Sequence, residues 1–286
     1  MRPVPGKPSL PAFLAAHPNS VLVEVAEAKG STPREAGAFM LVAANRLFGT
    51  IGGGHLEFIA IDHARALLAG KAADETLDIP LGPEIGQCCG GRTLLRFTRI
   101  DETVSERLLQ QSSSEQQAFP DVFLFGAGHV GLALATALAP LPFNVTVVET
   151  RQIEAGALPE PIAFRNVPMP EAEVAAIRPG GAAVILTHDH ALDFLIAREA
   201  LARDDLTYTG MIGSATKRAT FSRWLMREGG EAAWLERLTL PVGGNMVKDK
   251  RPAVIAALVT AELTTRLLGT KQAKSSARQD ERILGR

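Results

Sequence analysis

The stretch DVFLFGAGHVGLALATAL, residues 121–138, constrains the fold of this chain more than any other. A short apolar run of strand character leads into Gly126-Ala127-Gly128-His129-Val130-Gly131, and helical spacing follows at once. In such a unit the first glycine makes a tight turn and the second lets backbone approach a pyrophosphate. The third lets the helix pack closely on the strand. A phosphate then sits at the positive end of the helix. The next apolar run, FNVTVVE, ends at Glu149, 18 residues beyond Gly131. An acid at that place can accept ribose hydroxyls. The glycine spacing alone is a weak signal; strand, turn, helix, strand and acid together predict a Rossmann-like doubly wound parallel sheet. A nucleotide at Gly126, Gly128, Gly131 and Glu149 is the functional expectation. A turn kept only for packing is the alternative.

Period and punctuation extend this α/β expectation. Strands are predicted at 121–126, 144–149, 182–187, 207–212 and near 237–242, and helices at 129–139, 190–203, 214–228 and 252–268. Such alternation produces a parallel sheet with helices on both faces. The part before it reads as a smaller N-terminal α+β domain. Strands are expected at 20–30, 37–44, 46–52, 75–81 and 92–100, with a helix from His55 to Gly70 and a short helical pattern at Val104 and Leu108. The expected division is a domain at 1–110, a polar linker at 111–119 around QQSSSEQQ, the Rossmann-like domain at 120–270 and a frayed polar tail at 271–286. The last helix carries Val254, Ala257, Leu258, Ala261 and Leu267 as a core face, or a dimer face.

Composition excludes several classes. Hydrophobic residues make up 46% and charged residues 21%, as in soluble globular domains. A formal net charge of -1 supplies no positive field for nucleic acid. No apolar run reads as long enough to cross a membrane, and the proline-broken N-terminus does not read as a secretory signal. The expected compartment is the cytoplasm. There the only two cysteines, Cys88 and Cys89, are not expected to form a structural staple, and their adjacency would strain a mutual disulfide.

Two further motifs lie at predicted strand ends of the second half. THDHALDF, 187–194, carries His188, Asp189, His190 and Asp193. Asp189 reads as a helix N-cap with His190 and Asp193 in the first turn, a better fit than a metal site, because no closed ligand set is visible. His188 is a candidate ligand-facing residue. GMIGSATKRATF, 210–221, places Ser214 as a cap and Lys217 and Arg218 one turn on. That pattern suits either an anion or a capped surface helix.

The first half adds GTIGGGHLE, with Gly52, Gly53 and Gly54 between a strand and a helix and Glu57 in the first turn. Exposed amides at such a turn form an anion-binding concavity. No Lys-Ser/Thr follows, so it is not a P-loop. GSTPREAGA, 30–38, contributes Ser31, Thr32 and Arg34. QCCGG holds Cys88 and Cys89 against Gly90, with Arg92 close by. Amides and a cation can lower a thiolate pKa, and a thiolate is a soft ligand and a sulfur nucleophile. Buried filler is the alternative. The three loops outline one pocket if the strands they follow are neighbours.

These motifs, with THDHALD and GMIGSATKRA, occur in the order and spacing of the xanthine dehydrogenase accessory protein family, the XdhC/CoxI type, which the chain resembles over roughly residues 18–268. The resemblance implies a cytoplasmic chaperone, without turnover of its own, that carries the molybdopterin form of molybdenum cofactor. It implies protection of that cargo, sulfuration with a cysteine desulfurase, and delivery to apo xanthine dehydrogenase or a related molybdenum hydroxylase. By position, Cys88 and Cys89 are the implied contacts to molybdenum or its sulfido ligand. Gly126, Gly128 and Gly131 hold a phosphate or nucleotide part, with the glycine loops of the first domain as the opposing wall. A homodimer is a family-level expectation. The chain departs from the family's closing pattern in NMVKDK, 245–250, and in Ala253, where an acid is usual. Two other readings compete: an NAD(P)-dependent oxidoreductase, and a sulfur-transfer enzyme carrying a persulfide on a cysteine.

Overall fold

The computed structural model describes residues 8–72, 74–82, 90–154 and 156–284, with side chains to Gly269. The chain divides into two compact units, Met1–Glu115 and Gln116–Arg286.

The first unit is built on an antiparallel sheet. Helix α1 (Leu10–Ala16) is capped by Ser9, whose hydroxyl accepts from the Ala12 N–H. β1 (Val21–Lys29), β2 (Phe39–Val42) and β3 (Leu47–Gly49) follow. Helix α2 (Gly54–Leu68) leads to β4 (Thr76–Pro80), β5 (Arg92–Arg99) and helix α3 (Glu102–Gln117). The strand order is β3-β2-β1-β5-β4. Alternation along the strands feeds two cores. Val21, Val23, Val25, Met40 and Val42 pack with Leu56, Ala60 and Ala64 of α2. Leu22 and Leu41 face the other way, onto Phe13 of α1 and Leu108 of α3.

The second unit holds β6 (Asp121–Phe125), α4 (His129–Leu138), β7 (Asn144–Glu149), β8 (Ala163–Asn166) and β9 (Ala182–Ile185). α5 (His190–Ala202), β10 (Tyr208–Met211), α6 (Ala215–Arg227), β11 (Leu238–Thr239) and α7 (Pro252–Leu284) complete it, with short 3-10 helices at Pro170–Ala176 and Ala232–Glu236. All strand pairs are parallel, in the order β11-β10-β9-β6-β7-β8. Numbered within the unit, this is the Rossmann order 6-5-4-1-2-3. One core lies between the sheet and α4 with α7, the other between the sheet and α5 with α6. The expected fold class is therefore the observed one.

Several expectations need correction. The polar segment read as a linker is helical as far as Gln117, because it continues α3, whose Leu108 anchors it to the first core. Helix α1 and strand β8 have no counterpart in the sequence reading; both are short, and Ala163–Asn166 has no fully buried residue. The backbone of α7 runs on to Leu284. The buried stripe of α7 is Ala256, Val259, Leu263 and Leu267, so of the five residues expected to face the core only Leu267 does. An 18-residue window of α7, Pro252–Gly269, does reach the length and apolarity of a membrane span. Its buried stripe packs against α4 and the sheet, as in a core helix.

Candidate functional site

In the second unit β7 and β8 lie on one side of β6, and β9 to β11 on the other. The loops after β6 and β9 therefore diverge at the carboxyl edge, the switch point where open α/β sheets take ligands. The glycine turn sits there. Gly126 adopts a φ of 117°, and a Cβ on it would lie 2.7 Å from the Leu186 carbonyl oxygen. A Cβ on Gly131 would stand 2.0 Å from the Gly126 oxygen, so this glycine is required for the helix to start on the strand. Gly128 is different: nothing lies within 4 Å of its added Cβ. It is the N-cap of α4 and brings no side chain to cap the first-turn amides. The space beside Gly128 thus has the amides and the room that a phosphate needs.

Glu149 lies at the end of β7, as expected, but its carboxylate is already engaged. Oε2 accepts from the Ala127 N–H at 2.9 Å, within the glycine turn itself. Oε1 accepts from the Thr150 N–H at 2.9 Å, and Arg151 closes on both oxygens at 3.3 and 3.1 Å. Glu149 is 5% exposed. Burial alone would raise its pKa, but the bonds from Arg151 and the Ala127 and Arg151 amides outweigh that and hold it at about 2. The acid expected to await a ribose is instead part of the turn's own wiring. Arg151 is its ion-pair partner.

A cavity of about 260 Å³ opens at the carboxyl ends of β9 and β10 and brings His188 and Ser214 together, with Thr187, His190, Gly213 and Lys217. Asp189 caps α5 through bonds from the Ala191 and Leu192 amides, and Ser214 caps α6 by accepting from the Lys217 N–H. The floor is a buried ion pair that the sequence did not reveal. Asp193 is fully buried, receives Lys217 Nζ, and accepts from the Thr187 hydroxyl at 2.7 Å and its N–H at 3.2 Å. Lys217 also donates to the Ile212 carbonyl at 2.9 Å. Arg218 donates to the carbonyls of Leu235, Leu238 and Leu240. The two cations expected to meet an anion are thus spent on internal partners. Beside the internally bonded Thr187 and Ser214 hydroxyls, the cavity is lined by the imidazoles of His188 and His190. Among the described residues no cluster of three or more His, Cys, Asp or Glu could hold a metal ion.

In the first unit the 30–34 loop lies close to the Gly52 turn and to Gly91. A Cβ on Gly52 would lie 2.5 Å from Pro33 Cβ and 3.4 Å from Arg34 Cγ. A Cβ on Gly91 would lie 2.3 Å from the Ser31 oxygen and 2.7 Å from that of Lys29. Gly90 donates to the Leu81 carbonyl at 2.7 Å, and Leu81 to that of Gly91 at 2.8 Å, a closed stem extending the β4–β5 pair. Cys88 and Cys89 lie outside the described residues. The glycine turn itself is not an open anion nest. Glu57 folds back from α2, and its Oε1 accepts from the Ile51 N–H at 3.0 Å, the Gly53 N–H at 2.9 Å and the Thr50 hydroxyl. The Gly52 N–H donates to Thr50 at 3.1 Å. A carboxylate of the chain itself fills the concavity. Gly54 begins the helix. Arg92, expected to act on the thiols, forms a two-pronged pair with Asp78 at 2.6 and 2.8 Å.

A parallel sheet in Rossmann order, with its glycine turn at the switch point and a helix-covered antiparallel unit before it, defines a two-unit nucleotide-fold protein. Family models carry the identification further: the XdhC Rossmann domain matches residues 122–263, and the XdhC and CoxI family matches residues 13–79. The chain belongs to the XdhC family. An uncharacterized Escherichia coli (strain K12) protein, YqeB, is 26% identical over 254 residues, covering 85% of this chain. The chain spans only 42% of that relative's length. A crystal structure described as a xanthine dehydrogenase from Bacillus halodurans superposes with a TM-score of 0.74 at 19% identity, over 92% of this chain and 96% of that one, and so shares its fold.

Proposed function

We propose that the protein is a cytoplasmic molybdenum cofactor chaperone. It binds the molybdopterin form, protects it, supports its sulfuration by a cysteine desulfurase, and delivers it to apo xanthine dehydrogenase or a related molybdenum hydroxylase. The observation that supports this most is the gathering in the first unit of the 30–34 loop, the Gly52–Gly53 turn and Gly90–Gly91 around the stem of the segment that carries Cys88 and Cys89. The thiols supply soft contacts to molybdenum or its sulfido ligand. In the second unit the uncapped first turn of α4 at Gly128 receives a phosphate or nucleotide part, with His188 and Ser214 on the adjoining cavity. The chain carries cargo rather than turning over a substrate, and works as a homodimer.

The test is reconstitution. Purified protein is expected to bind about one molybdenum cofactor per chain, read by metal analysis and pterin fluorescence. Cys88→Ser with Cys89→Ser should weaken binding or client activation at least tenfold. Full binding and full activation by the double variant would remove the thiol assignment. Mass spectrometry after incubation with a desulfurase separates a covalent persulfide carrier from a passive chaperone by a mass gain on the Cys88–Cys89 peptide. A second reading, an NAD(P)-dependent oxidoreductase, draws on the strand order and glycine turn; tight NAD or NADP binding with turnover of a small alcohol or acid would favour it. The engagement of Glu149 by Ala127 and Arg151 weighs against it.

A further inference from the structure

The opposite edge of the parallel sheet carries a second cavity that the proposed function does not use. It encloses about 270 Å³ at the amino ends of β10 and β11, beside the Ala232–Glu236 3-10 helix and α7. Three guanidinium groups line it, those of Arg203, Arg237 and Arg266, against one carboxylate, Glu236. Thr207, Thr209 and Thr239 add hydroxyl groups to the lining.

Two of the arginines are held in place by structural bonds. Arg203 makes a two-pronged pair with Asp205 at 2.8 and 2.7 Å and donates to the Val174 carbonyl at 2.7 Å. Arg237 donates to the carbonyls of Leu201 and Arg203 at the end of α5. These bonds cap a helix C-terminus, and that alone would justify both residues. They do not exhaust the five N–H donors of each guanidinium. Arg266 has no capping duty: its described interaction is electrostatic, with Tyr208. The Tyr208 hydroxyl itself is turned to Glu262, to which it donates at 3.0 Å. Counting Asp205 and Glu262 with Glu236, three cations meet three anions, so what the cavity offers an oxyanion is not net charge but the remaining donors of Arg203 and Arg237, already fixed in space, together with the guanidinium of Arg266. Fixed guanidinium forks beside hydroxyls recognise tetrahedral oxyanions, since little ordering is left to be done on binding.

We propose that this cavity binds the phosphate group of a small molecule, or phosphate itself, at a site separate from the switch point. Arg266 is the residue whose charge the site needs and the fold does not. Glu236, the lining acid, opposes binding.

Inorganic phosphate is the probe, titrated into the full-length protein at constant ionic strength with chloride as control. Binding is read by the shift in melting temperature and by broadening of the phosphorus resonance. Saturable stabilisation specific to phosphate is expected in the wild type. Arg266→Gln should weaken it at least tenfold while leaving the melting temperature without phosphate within a few degrees. Glu236→Gln should strengthen it by a few-fold, a gain that a merely structural role for these side chains would not produce. Absence of saturable binding up to tens of millimolar, or equal binding by wild type, Arg266→Gln and Glu236→Gln, would overturn the proposal. Cofactor binding by the Cys88→Ser, Cys89→Ser double variant does not enter this test, so the two readings fail separately.

Discussion

Two carboxylates decide how the glycine turns work. Glu149 and Glu57 each accept from an amide in a turn whose amides would otherwise await an anion. For Glu149 the consequence is a pH dependence of known sign. Its pKa of about 2 in the folded protein lies below the ordinary 4.5, so its stabilisation is complete above the unfolded value and is lost as pH falls toward 2. Glu149→Gln should cost roughly 1–2 kcal/mol at neutral pH, discounted because Arg151 is largely exposed. Urea denaturation across pH 2–7 should show the two proteins converging at the acid end. Asp193 and Lys217 make a sharper case. Each is buried, so Lys217→Met or Asp193→Asn alone should cost about 3–5 kcal/mol, while the apolar pair Asp193→Leu with Lys217→Met should cost less than the sum. A double-mutant cycle by chemical denaturation reads this. Neither pairing was legible in the sequence. Glu149 was placed correctly at the strand end, but the turn of its carboxylate toward Ala127 depends on Arg151 closing from behind. Asp193 and Lys217 lie on different helices and meet only because β9 and β10 are neighbours.

The strands, helices and glycine turns were mostly legible because periodicity and glycine spacing report local geometry directly. Apart from the short edge strand β8, the parallel elements appear where alternation predicts them, and the core of the sheet is a continuous apolar run in β6 and β9. What failed was whatever depends on packing partners. The polar end of α3 has little apolar signal of its own and is helical through continuity with Leu108. The stripe of α7 is rotated from the expected one because α4 and the sheet, not composition, select the buried face. The glycine turn yields a prediction at this scale. Gly131→Ala should destabilise the second unit by more than about 2 kcal/mol, since its Cβ would meet the Gly126 oxygen at 2.0 Å. Gly128→Ala has open space and should fold normally, so any phosphate-bearing ligand lost from that variant marks the turn as a binding surface. Thermal melts paired with ligand titration distinguish the two glycines.

Across the molecule, two units with separate cores mean that damage should stay local. Leu108→Ala opens a void among Phe13, Leu22 and Leu41 and should cost about 2–5 kcal/mol. Hydrogen exchange by mass spectrometry should show lost protection in residues 10–115, with the parallel sheet little changed. The reverse is expected of Leu263→Ala on α7. Such separation bears on how stability is observed at all. Both tryptophans, Trp224 and Trp234, and the sole tyrosine, Tyr208, belong to the second unit. Tyr208 is buried, and its phenol, pushed far above the ordinary 10 by burial and the Glu262 carboxylate, will not ionise while its surroundings remain folded. The first unit, which carries the cysteines, is therefore dark to intrinsic fluorescence. An emission melt reports half a protein, and loss of structure around the thiols will pass unseen unless a chromophore is introduced there, for example Phe48→Trp.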